Sequence, residues 1–381
     1  MKPTPKPRLK LLCLGTYPVE SAATRYRVLQ FFPDLSAAGI DASYRPFMDS
    51  RFFESFYKPG RSLHKSMRLL GSALRRLNDV QRAGRCDVVL IHREAALFGP
   101  PLIEALIARV LKKPVVFDFD DAIHLPSPGS VHGRLATALK YPQKTPKTIR
   151  MSRAVVVGNR HLEEYARALN PHVTLIPTVV DARVVQPARE RTGEPGDSGA
   201  TGRVHRDRKT VLGWIGTHST YPYLEALFPV LRRIAHSHSI VLRVVGAGRE
   251  IAIPGVEVDN RTWSLKSELG DLQSFDIGLY PILEDQWSLG KSGFKAIQYM
   301  AVGIPAVCSP VGATCDIVHD GVHGFLPSNA DEWTERLLHL IEDAALRERL
   351  GQAGRARVEE WYCLQRQAPR LQAVIEAADV L

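Results

Sequence analysis

The chain has no apolar run long enough to cross a bilayer; the first one, Leu11 to Leu14, is short and no cleavage-like signal follows it. A cytoplasmic protein is the expectation. Cysteine is scarce. Cys13, Cys86, Cys308, Cys315 and Cys363 are scattered without CxxC spacing or paired histidines, so neither a zinc site nor a disulfide framework is indicated and reduced thiols are expected. No short-period repeat and no basic-aromatic recognition motif occurs, which argues against a nucleic-acid partner. What is present is a length of 381 residues, enough for two domains with cores of their own, at 45% hydrophobic and 24% charged. Fifty Lys and Arg against 40 Asp and Glu give a formal charge of +10, which favours an anionic partner: nucleic acid, phosphate-bearing small molecule or lipid headgroup.

Short β-rich runs alternate with amphipathic segments: LKLLCLG, CDVVLIH, PVVFDF, RAVVVG and VTLIP in the first half, with helical stretches such as LIEALIARVL between them. Alternation of this kind predicts βα units around a parallel sheet. It stops over 184–208, a polar stretch rich in Gly and Pro that reads as a linker or insertion. It restarts with TVLGWIG, SIVLRVVG, FDIGLYP and IPAVCS. The division expected is a domain over 1–183, the linker, a second α/β domain over 209–360, and a final helix over 361–381.

The stretch GKSGFKAIQYMAVGIPAV, 290–307, reads as loop, helix and strand. A helix beginning near Ser292 or Gly293 presents unpaired N–H groups and a partial positive charge, and small residues there let an anion approach the backbone. Lys291, Lys295 and Gln298 at i, i+4 and i+7 predict one face that suits a diphosphate. A surface helix with two solvated lysines is the plain alternative. A Walker A loop is rejected because Asp285 stands where its first glycine belongs. GAGRE at 246–250 leads into IAIPGVEV, which is not a helix, so it is no dinucleotide fingerprint and reads as a tight turn.

The run FDIGLYPI…GKSGFKAIQYMAVGIPAVCSPVGATCDIVHDGVHGFL resembles the donor-site signature of the retaining, nucleotide-sugar-dependent glycosyltransferases of family 4, or group 1, with the GT-B architecture. The likeness extends over nearly the whole second half. In the first half it rests on strand order, VVVGNRHLEEYA and LIPTVVD. It implies an α/β fold of two Rossmann-like domains facing a cleft, with the nucleotide sugar in the C-terminal one, the acceptor in the N-terminal one, and the last helix crossing back. It implies a hexosyltransferase that needs no cofactor or metal beyond its nucleotide-sugar donor, acting on a glycan, polysaccharide or lipid-linked acceptor. Carried over by position, Ser292, Gly293 and Phe294 hold the diphosphate, Gly216 and Thr217 face the phosphates, and the stretch at Trp263 holds the base. Two glutamates usual in the family are replaced by Gly290 and Gln298, and Lys291 and Lys295 are expected to supply the positive charge that the loop GTHSTYP lacks. The rival from another class is a non-catalytic nucleotide-sugar or glycan-binding protein.

VVFDFDDAIHL, 115–125, carries three readings: a phosphatase-like DxD nucleophile, a metal-binding DxD through Asp118 and Asp120, or a strand end bearing site residues. In the last, Asp120, Asp121 and His124 face substrate, with His92 at the end of CDVVLIH; a capping aspartate is the structural alternative. Arg25 and Arg27 are candidates for a phosphate or else solvated helix residues. Trp214, Trp263 and Trp287 either touch the donor or serve as packing. Over 62–77, Leu63, Met67, Leu70, Leu74 and Leu77 form a stripe beside Lys65, Arg68, Arg75 and Arg76. Such a helix either packs on its own domain or makes peripheral contact with the inner face of an anionic membrane.

Overall fold

Runs of Val, Leu and Ile buried on both faces build two parallel sheets, the arrangement that near-continuous apolar strands require. A computed structural model describes residues 8–56, 60, 62–125, 141, 143–188 and 209–380. The chain forms two α/β units. One runs up to Val179 and includes Leu289–Ser292 and Leu364–Leu381; the other comprises Val180–Ser288 and Gly293–Cys363.

In the first unit, β1 (Leu9–Gly15), β2 (Ile40–Pro46), β3 (Val88–His92), β4 (Val115–Phe119), β5 (Ala154–Val157) and β6 (Val173–Leu175) are ordered β2-β1-β3-β4-β5-β6. Every pairing is parallel. The two-residue period sends Leu11 and Cys13 to one core layer, Leu12 and Leu14 to the other. Helix Leu364–Val380 fills the first layer with Leu364, Leu371 and Ile375.

In the second unit, β7 (Thr210–Ile215), β8 (Ile240–Val245), β9 (Glu257–Arg261), β10 (Ile277–Tyr280), β11 (Ala306–Cys308) and β12 (Gly324–Phe325) are ordered β12-β11-β10-β7-β8-β9, again all parallel. Leu212, Leu242 and Val307 pack against helices Phe228–Ala235 and Ala330–Glu342. Trp214 lies in this core at 2% exposure, so of its two readings packing holds.

The sequence pattern misses β2, β9 and β12. All three lie at sheet edges; β2 alternates, β9 is polar and β12 has two residues, so none presents the apolar run by which a central strand is recognised. YLEALFPVLRRIA is not one helix: it breaks into Tyr221–Glu225 and Phe228–Ala235, and Pro229 stands in the first turn of the second. The expected linker lies outside the described residues from 189 onward. Among the described residues no helix is long and apolar enough to cross a membrane.

Strand order reverses between β1 and β3 in one sheet and between β7 and β10 in the other. In open parallel sheets the loops beyond the carboxyl ends at such points form the ligand crevice.

Candidate functional site

At the carboxyl edge of the second sheet, β10 leads through 281–293 into helix Phe294–Ala301. Its N-cap, Gly293, sits at φ 65°, and a Cβ there would stand 2.4 Å from Ile317 Cδ1. A side chain would therefore be strained twice over, and the cap brings none to the mouth. Behind the mouth runs a directional chain of hydrogen bonds. Lys295 Nζ donates to Gln298 Oε1 (2.9 Å), Gln298 Nε2 to Glu268 Oε1 (2.9 Å), and Trp263 Nε1 to Glu268 Oε2 (3.0 Å). Lysine can only donate and a carboxylate only accept, so the Gln298 amide has one satisfactory orientation. Gln298 and Glu268 are buried, while Lys295 and Trp263 are half-buried.

Lys291 precedes this helix, so the single face expected through Lys291, Lys295 and Gln298 does not form; only the last two share it. Ser292 is half-buried. After β7, the Gly216 amide donates to Val245 O (3.0 Å) and the Thr217 amide to Thr220 Oγ1 (3.0 Å). Both amides are thus engaged in shaping their turn, and Thr217 is exposed. Glu268, the carboxylate of this cluster, lies 30 residues from Gln298 in no motif, so sequence spacing does not find it.

In the first unit, the carboxyl ends of β3 and β4 carry a buried charge cluster. Asp118 takes a bidentate ion pair from Arg27 and a 2.7 Å contact from His92 Nδ1. Because the carboxylate accepts, Nδ1 carries hydrogen; His92 Nε2 is buried with no hydrogen-bond partner among the described residues. Arg93 follows in the left-handed region at φ 62°, unusual for a non-glycine residue. Its guanidinium donates to Asp120 Oδ1 (2.9 and 2.7 Å) and to Asp121 Oδ2. Thr178 Oγ1 reaches Asp120 Oδ2 at 3.4 Å.

These contacts correct several expectations. Arg27 is neither a phosphate ligand nor solvated: it is the buried partner of Asp118. Arg25 closes its own loop through Val19 O and Glu20 O. Asp118 and Asp120 are each matched by arginine and do not stand as an open DxD pair, and Asp120 is not a helix cap. His92 and Asp120 both lie buried among these partners, while Asp121 is half-buried. His124 stacks on Tyr165 at 4.0 Å between ring centroids, and burial lowers its pKa. Among the described residues no three His, Cys, Asp or Glu side chains gather as a metal site.

The segment Leu289–Ser292, which belongs to the first unit, is held by Asn159, whose Nδ2 donates to Gly290 O and Lys291 O (2.9 Å each) while Oδ1 caps helix Arg160–Arg167. A Cβ at Gly290 would lie 2.5 Å from Ala122 Cβ, so the position has no room for any side chain. Sequence spacing singles out neither Arg93 nor Asn159, although Asn at the start of NRHLEEY carries the ordinary signal of an N-cap. An open depression of about 410 Å³ lined by Lys112, Lys113, Arg150 and Arg153 lies at the amino ends of β4 and β5, the edge opposite these loops.

Burial opposes the Asp120 charge, but Arg93, with His92 and Arg27, outweighs it and holds the pKa at about 2. A carboxylate depressed in the folded state stabilises it above the unfolded value and loses that contribution as pH falls through the folded one. Acid titration should show on the order of 2 kcal/mol vanish between about pH 4 and 2. Asp121 works with the opposite sign: burial and Asp120 raise its pKa despite Arg93, so its protonation comes first and relieves repulsion. Asp120→Asn should flatten the acid limb of a denaturation curve measured against pH; an unchanged limb would exclude this origin.

Residues 209–343 match the family described as Glycosyl transferases group 1. A search of curated proteins finds no match. Among solved structures, the chain is similar to Alr3699/HepE from Anabaena, crystallised with UDP and glucose, at 14% identity and a TM-score of 0.68, covering 97% of this chain and 100% of that one. It is similar to a glycosyltransferase from Rickettsia africae (12%, TM-score 0.67, 98% and 99% covered). It is also similar to sucrose-phosphate synthase from Thermosynechococcus elongatus (14%, TM-score 0.66, 97% and 99% covered). The fold is therefore the two-domain GT-B type, and the family match lies within the second unit save for Leu289–Ser292.

Proposed function

We propose that the protein is a nucleotide-sugar-dependent glycosyltransferase of hexosyl type, whose second unit holds the donor and whose first unit receives a glycan or lipid-linked acceptor. The observation that carries this reading is the helix mouth at Gly293 backed by the Lys295–Gln298–Glu268–Trp263 chain, inside the stretch that matches the transferase family. A diphosphate would lie against the amides of Ser292–Phe294, its charge balanced by the helix dipole and by Lys291 and Lys295. Glu268 supplies the carboxylate that Gln298 lacks, held behind the mouth by Gln298 and Trp263, with Trp263 beside it for the base.

In the first unit all three acids meet arginine, but Asp118 and Asp120 are buried and position their neighbours, whereas Asp121, which shares Arg93, is a quarter exposed and is the acid placed to meet a substrate hydroxyl. Transfer with retention breaks the bond from the anomeric carbon to the leaving phosphate oxygen and forms one to the acceptor oxygen on the same face. The acceptor proton passes to the leaving diphosphate, so no protein base and no metal is required.

Lys291→Ala and Lys295→Ala should each weaken UDP or GDP binding roughly 10- to 150-fold, the worth of one charge-assisted contact. Calorimetric titration reads this directly, and wild-type affinity in both variants would remove the diphosphate from this mouth. Turnover of a nucleotide-sugar panel with candidate acceptors tests the chemistry; binding without turnover would favour the binding-protein reading, which the closed space at Gly290 also suits.

A further inference from the structure

Helix Ser62–Ala83 keeps its most regular apolar stripe on the outside. Its inward side is mixed: Leu69, Val80 and Ala83 pack against the unit, and between them Arg76, 1% exposed, donates to Gly15 O (2.9 Å) and Arg45 O (3.0 Å) and pairs with Asp79. Its outward face carries Leu63, Met67, Leu70, Leu74 and Leu77, each between 50 and 76% exposed. The spacing of four, three, four, three sets these side chains in one continuous stripe, where single exposed leucines would need no explanation. The adjoining helical segment 102–110 also exposes Leu102, Arg109 and Val110.

Charge selects the occupant. Along one flank of the stripe run His64, Arg68, Arg75 and Arg82. The helix has one acid, Asp79, which is buried and shared by Arg76 and Arg82, and an acid outside the helix, Asp49, meets Arg68 and Arg75. A second copy laid along this face would bring arginine toward arginine. An anionic surface complements it. We propose that this face binds an anionic lipid bilayer, with the leucine stripe at the boundary of headgroups and acyl chains and the arginines level with the phosphates. The inference rests on this helix alone and is independent of the transferase reading.

The test is co-flotation of the full chain with vesicles of phosphatidylcholine alone or with about 30% phosphatidylglycerol. The protein should float with the anionic vesicles and be released by added salt. Leu70→Ser/Leu74→Ser should lower binding at least ~10-fold with unfolding temperature unchanged, because both side chains are already in water. Arg75→Gln/Arg82→Gln should lose roughly fivefold per arginine on anionic vesicles and little on neutral ones. Failure of the wild type to float, or leucine variants that float equally well, would overturn the proposal. So would a dimer in sedimentation that the leucine variant converts to monomer, or capture of an acidic protein in preference to vesicles.

Discussion

Asp118→Ala lowers the stability of the first unit by about 3–5 kcal/mol, since removing one partner of a buried ion pair leaves the other charge uncompensated. Arg27, 4% exposed, would be stranded, and the hydrogen on His92 Nδ1 would lose its acceptor. Burial opposes the Asp118 charge, yet Arg27 and His92 hold its pKa below the ordinary carboxylate value. Hydrogen exchange of the β3 and β4 amides is the suitable readout, because a chain of two units need not unfold in one step. Arg27→Met/Asp118→Leu should recover most of the loss, as exchange of a whole buried pair for apolar groups is often tolerated. If Asp118→Ala exchanges as slowly as wild type, the pair is not what holds this corner together.

The second large effect concerns Glu268. Both neighbours donate to it, so Glu268→Gln must turn an amide NH2 against either Trp263 Nε1–H or Gln298 Nε2–H. Gln298 cannot flip to help, because its oxygen is engaged by Lys295. The substitution is therefore not conservative. Affinity for nucleoside diphosphates should fall roughly 10- to 150-fold through loss of a charged acceptor. Gln298→Glu alone should also weaken binding by placing two carboxylates in contact. The exchange Glu268→Gln/Gln298→Glu satisfies every donor again and should restore much of the affinity. Additive losses in the double variant, measured by titration calorimetry, would show that the two residues do not act as one unit.

The central strands are legible in the sequence because burial on both faces leaves an uninterrupted apolar run. The edge strands are not, since an exposed edge is written in residues such as EVDNR that also suit a loop. The glycine-capped helix mouth is legible through local spacing. Its supporting carboxylate is not, and neither is the pairing of Arg27 with Asp118 across 91 residues, because contacts between strand ends leave no periodic trace. The stripe on helix 62–83 is plain as a pattern. Only the fold shows that the Arg76 side is the one held inward, by the backbone oxygens that this arginine finds at Gly15 and Arg45.

Helix Leu364–Val380 completes a core whose last strand ends at Leu175, with the whole second sheet in between. A nascent chain leaving the ribosome therefore exposes the layer around Leu11 and Val116 until Leu371 and Ile375 have been synthesised. The second unit can close first, and the first must wait, which leaves its apolar layer open to wrong contacts for longer during translation.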